Sequence, residues 1–93
     1  MRWLAIAELL PGALVTSLAG RDRGTVYVVV KILGPGRVAV ADGKSRPAAR
    51  PKEKNVKHLA LAATPPATAV QRLKSRQDLT DEDLRDIIQS LRV

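Results

Sequence analysis

The run Thr25-Val26-Tyr27-Val28-Val29-Val30-Lys31-Ile32-Leu33 constrains the fold of this chain more than any other stretch. Its β-branched and aromatic side chains favour an extended backbone over a helix. Val26, Val28, Val30 and Ile32 fall on one face of the implied strand, and Tyr27, Val29, Lys31 and Leu33 on the other. Glycines end the run on both sides. Gly24 precedes it, and Gly34-Pro35-Gly36 fits a type II turn, with Pro at the second position and Gly at the third. Residues 13–18 read as a first strand, and Arg37-Val38-Ala39-Val40-Ala41 as a third, closed by the tight-turn pair Asp42-Gly43. Val56-Lys57-His58-Leu59-Ala60-Leu61 resumes strand character. Short strands separated by turns predict a mainly β fold, a small barrel or curled sheet, over residues 11–61.

The connection between the first two strands is Ala19-Gly20-Arg21-Asp22-Arg23-Gly24. Glycine permits positive φ and a close backbone approach. The bracketed arginines therefore sit at a tip where they can meet phosphate oxygens. Charge placement points the same way. Residues 13–58 carry ten Lys or Arg against three acids, which accounts for the whole formal charge of +7, whereas residues 1–12 and 59–93 are each neutral. A concentrated basic surface on a small domain indicates a polyanion partner. For each cation the alternative is a solvated charge without a partner.

Residues 44–55 hold five basic side chains, two prolines and no large apolar group. They read as an exposed basic arm that follows its ligand and orders on binding. Residues 62–66 read as a linker and 67–92 as a C-terminal helical appendage. Its first helix, over 67–76, has Val70 and Leu73 as its apolar stripe. The second begins at Thr80, an N-cap with Asp83 completing a capping box and Leu79–Leu84 forming a hydrophobic staple. Leu84, Ile87, Ile88 and Leu91 then trace one buried face, which docks on the sheet or serves a partner.

Catalysis has little to work with. The chain has no cysteine and a single histidine, His58, which supplies neither a thiolate nor a metal cluster. Ser17, Ser45, Ser75 and Ser90 lie in no nucleophile motif, and neither glycine-rich loop is a nucleotide fingerprint. No enzyme, cofactor or metal is expected. The start, Met1 to Leu10, faintly resembles a leader peptide, but Glu8 interrupts a run too short to span a bilayer, so neither secretion nor a membrane partner is expected. Trp3 and Tyr27 are the only aromatics, too few for base-stacking on single strands or for a proline-peptide groove. Recognition of the backbone and shape of folded RNA or a duplex remains.

Pro11-Gly12-Ala13-Leu14-Val15, Ser17 to Gly24 and Tyr27-Val28-Val29 together resemble the KOW motif, as do Val40-Ala41-Asp42-Gly43-Lys44-Ser45-Arg46 and Pro51 to Leu59. Over about residues 11–60 the chain is similar to bacterial KOW-domain RNA-binding proteins, and so to the KOW-bearing large-subunit ribosomal proteins of archaea and eukaryotes. The resemblance implies a small SH3-like barrel whose loop contacts RNA through Gly20, Arg21, Asp22, Arg23 and Gly24. The basic stretch it implies falls on Lys44, Arg46, Lys52, Lys54, Lys57 and His58, to which the arm's charge adds Arg50. Arginines holding phosphates, glycines shaping the loop and Asp22 ordering it or orienting an arginine are the expected roles. The expected partners are RNA, ribosomal in kind, and ribosomal proteins, in the cytoplasm. A protein adaptor working through the C-terminal helix and a nucleoid protein on duplex DNA are the alternatives.

Overall fold

A computed structural model describes residues 10–75 and 77–91. The leader-like stretch 1–9, Arg76 at the end of the expected first helix, and the last two residues lie outside them. Five strands form one antiparallel sheet: β1 (Leu14–Ser17), β2 (Val26–Gly34), β3 (Arg37–Ala41), β4 (Lys52–Asn55) and β5 (Leu59–Ala63), in spatial order β4-β3-β2-β1-β5. A 3-10 turn, Val56–His58, joins β4 to β5, and two helices follow, α1 (Ala67–Lys74) and α2 (Asp81–Leu91). Among the described residues no helix is long and apolar enough to cross a membrane.

The sheet is open but strongly curled. Its edge strands β4 and β5 are not hydrogen-bonded to each other. In a flat sheet these edges would stand about 19 Å apart, at roughly 4.8 Å per strand. Yet a single three-residue turn joins them, from Val56, whose N–H donates to Gly36 O at 2.9 Å, to His58, whose carbonyl accepts from Leu18 N at 2.8 Å. Register shifts in β2 between Val29 and Lys31 and between Ile32 and Gly34, and in β1 between Leu14 and Val15, supply the bending. The Gly34–Gly36 turn forms as expected, with Gly36 at φ +75°.

Curling gives the sheet two buried faces. Val15, Tyr27, Val29, Val38, Val40 and Leu59 fill the inner one. On the other, Leu14, Val28 and Ala41 meet Ala69 of α1 and Leu79, Leu84 and Ile87 of the α2 region. The alternation expected along β2 holds to Val30; beyond it the strand outruns its cover, and Lys31, Ile32 and Leu33 are exposed. At the start of α2, Asp83 N–H donates to Thr80 Oγ1 at 3.1 Å and Thr80 N–H to Asp83 Oδ2 at 2.9 Å, so the capping box closes. The Thr80 N–H, outweighing the effect of burial, and Arg72 at 3.4 Å hold the Asp83 carboxyl below the usual carboxylate range. Leu79 and Leu84 are buried in the same cluster, as a staple requires.

Three local expectations are corrected. The arm over 44–55 is not wholly an exposed loop, because Lys52–Asn55 pairs with β3 as an edge strand, Val40 opposite Lys52 and Arg37 opposite Asn55. Strand character does not resume at Val56: the 3-10 turn comes first, and β5 runs through Ala62 and Ala63, expected as linker, because Ala63 pairs with Leu14. On α1, Ala69 rather than Val70 faces the sheet. Gly12, at φ +95°, lies against this helix so closely that a Cβ there would stand 2.9 Å from Ala69 Cβ, and only a small residue at 69 permits that approach. The side chains of Leu73 and Leu91 lie outside the description.

Candidate nucleic-acid interface

The loop from Leu18 to Thr25 closes on its own backbone. Gly24 N–H donates to Ser17 O at 2.8 Å, Ser17 N–H to Thr25 O at 2.9 Å, and Thr25 N–H to Asp22 O at 2.9 Å. Gly20 and Gly24 adopt φ +86° and +90°, which side-chain-bearing residues rarely tolerate. Between them Asp22 turns inward. Its Oδ1 accepts from Ser17 Oγ at 2.9 Å and Lys54 Nζ at 2.8 Å, and its Oδ2 from the Tyr27 hydroxyl at 2.7 Å and Lys52 Nζ at 3.0 Å. Lys54 Nζ also donates to Ser17 Oγ at 3.1 Å.

This cluster joins parts of the chain that a flat sheet would hold far apart. Three strand spacings separate β4 from β1, roughly 14 Å when flat, and the lysines of β4 bridge what curling leaves. Asp22 therefore acts as an ionic clasp between an edge strand and the β1–β2 loop. Burial raises the proton affinity of its carboxyl, but the hydrogen bonds from Lys54, Tyr27, Lys52 and Ser17 outweigh burial and hold it far below the usual carboxylate range. Burial, reinforced by the neighbouring Asp22 charge, pushes the Tyr27 phenol well above its ordinary value. Tyr27 is thus a core residue with a polar tip rather than a stacking platform.

With Asp22 drawn in, its neighbours Arg21 and Arg23 are left on the outside, and both are exposed. Of the expected contact residues, Lys44, Arg50, Lys57 and His58 are exposed too, and Arg46 is half-buried. Lys52 and Lys54 differ, since their ammonium groups point at Asp22, and the Lys54 side chain is only 10% exposed. Lys57 and His58 occupy the 3-10 turn beside Leu18. Lys44 shares a cleft with Gly24, Thr25 and Val26, which brings the start of the arm to the glycine loop.

Residues 42–50 are fastened by hydrogen bonds from within the chain. Asp42 Oδ1 accepts from Lys44 N at 2.8 Å and Arg46 N at 2.9 Å. From α2, Asp81 Oδ1 accepts from Ala48 N at 2.7 Å, and Arg85 Nη1 donates to Gly43 O at 2.8 Å. An ordering role for Asp22 is among the expectations, but its lysine partners on β4 and the fastening of the arm by α2 escaped sequence reasoning. The Lys-Glu-Lys alternation at 52–54 is the one sequence feature that could have revealed the clasp. Among the described residues no group of three or more His, Asp or Glu side chains could hold a metal. What the surface offers chemically is a hydrogen-bonded, cation-bearing loop with a basic segment fastened beside it. Compared with known proteins, the chain matches no protein-family model and no curated protein.

Proposed function

We propose that the chain is an RNA-binding protein of the KOW type, ribosomal-protein-like or ribosome-associated and working in the cytoplasm, with its curled sheet serving as an SH3-like barrel. One observation carries the reading. The Asp22 clasp fixes the Gly20–Gly24 loop from within, so Arg21 and Arg23 project from a preordered tip. Preordering spares the entropy that a mobile loop would lose on gripping a phosphate backbone. Lys44, Arg50 and Lys57 extend the positive surface beyond the tip. The adaptor reading draws no comparable support, because Leu84 and Ile87, the face a partner would need, are buried on the chain's own sheet.

Titrating a folded RNA hairpin, with duplex DNA of the same sequence alongside, tests this. If Arg21, Arg23, Lys44, Arg50 and Lys57 each meet a phosphate, log K falls against log salt with a slope of about −4. Changing Arg21 and Arg23 together to Ala lowers the affinity at least tenfold and flattens the slope to about −2 to −3. An affinity within twofold of the original would overturn the loop assignment, and tighter binding to the DNA duplex would favour the nucleoid reading.

A further inference from the structure

Leu18 is the one large aliphatic residue of the binding loop, and its side chain faces water at 44% exposure. Its surroundings suggest a use. Ser17 pairs with Leu59 across the β1–β5 ladder, and both turn inward and are buried. One step on, Leu18 N–H donates to His58 O at 2.8 Å, so the next opposed pair is Leu18 and His58. Leu18 lies just past the end of β1 and His58 closes the 3-10 turn, so this hydrogen bond sets their backbones side by side. Both are exposed. The only imidazole of the chain is thus joined through the backbone to a residue with an exposed aliphatic side chain, and the exposed cations Arg21, Arg23 and Lys57 lie within five residues of one or the other along the chain.

We propose that Leu18 and His58 form a seat for one unpaired nucleobase of RNA, with the flanking cations holding the phosphates on either side of it. The proposal rests on the RNA-binding reading above and names the kind of RNA that the site selects: a helix interrupted by a bulged or looped-out nucleotide. Paired bases hide their faces in the stack, whereas an unpaired base offers a flat apolar surface that stacks on imidazole and packs on aliphatic carbon. The cationic rim supplies charge complementarity to the adjacent backbone. Tyr27 cannot perform this task because it is buried.

Fluorescence anisotropy with two labelled hairpin RNAs tests the seat, one stem fully paired and the other carrying a single-nucleotide bulge. One stacked base is worth about 1 kcal/mol or more, so the bulged stem is expected to bind at least about fivefold tighter. His58→Ala and Leu18→Ser reduce that preference, read as the ratio of the two stems' affinities for the same variant, below about twofold. His58→Phe, which keeps a ring, retains the preference; His58→Lys, which keeps only a cation, loses it. Equal binding of the two stems by the unaltered protein, a preference that survives His58→Ala, or one retained by His58→Lys overturns the seat while leaving the RNA-binding reading intact. Absence of salt-dependent binding to either stem overturns both.

Discussion

Replacing Asp22 with asparagine keeps the shape of the side chain and removes the charge that four donors share. The new amide has one acceptor oxygen and one NH2 group. Whichever way it turns, the NH2 faces either Lys54 Nζ and Ser17 Oγ or Lys52 Nζ and the Tyr27 hydroxyl, all within 3.0 Å of the original oxygens. The larger loss is at Lys54, whose side chain is 10% exposed against 13% for Asp22. Stranding one partner of a buried pair costs about 3–5 kcal/mol. The residual exposure of both groups, and the screening of the more open Lys52 contact, put Asp22→Asn at the low end, about 3 kcal/mol. For a chain of this length that is a fall in Tm of roughly 12–24 °C.

Acid separates this electrostatic account from simple loss of packing. The folded state holds the Asp22 proton affinity below that of the unfolded chain, so the unfolded chain takes up the proton first as pH falls. The clasp's contribution is therefore complete above the ordinary carboxylate value of about 4 and declines as pH drops toward the lowered folded value. Urea melts followed by circular dichroism at pH 7, 4 and 2.5 should show the original and the Asn variant about 3 kcal/mol apart at neutral pH and converging in acid. A neutral-pH difference below about 1 kcal/mol, or a gap of constant size across the series, would refute the clasp.

Two further outcomes test how the helices meet the sheet. Leu84→Ala empties a fully buried site between α2 and the sheet, and should cost about 3 kcal/mol in the same urea assay. Gly43 sits at φ +78°, and a Cβ there would collide with the Asp81 carbonyl, so Gly43→Ala should destabilise by more than about 1 kcal/mol and speed amide exchange at Ala48, where α2 fastens the arm.

The parts of the fold legible in the sequence are those written in local chemistry. Val26 to Val30 must extend, Gly34-Pro35-Gly36 must turn, and Thr80 with Asp83 must start a helix, whatever surrounds them. β4 is different. Lys52-Glu53-Lys54-Asn55 has no apolar face, so hydrophobic periodicity passes over it. Its alternation is ionic: Lys52 and Lys54 reach Asp22, while Glu53 reaches Arg37 at 2.9 Å. Such a strand is held by its backbone pairing with β3 and by an acid that curling brings within reach from another loop, and both are long-range information. The same limit hid the burial of Ala69 in preference to Val70, which depends on the approach of Gly12.

In the proposed reading the basic excess of residues 13–58 has two jobs, one in the fold and one in binding, that composition cannot separate. Lys52 and Lys54 neutralise Asp22 and close the corner of the sheet, and Arg37 is matched by Glu53 in an exposed pair of little energetic weight. Beyond these, Lys31 is exposed at the far end of β2, and in the proposed reading Arg21, Arg23, Lys44, Arg50 and Lys57 are where a polyanion would find charge without displacing a structural contact. Charge spent on the fold also shapes the charge left for binding, because drawing Asp22 inward removes the one acid that would offset the two arginines beside it. A loop of the same net charge with Asp22 facing solvent would present a mixed surface to a phosphate backbone. Its inward turn, maintained by two lysines from a strand thirty residues away, leaves Arg21 and Arg23 as the exposed charges of the tip.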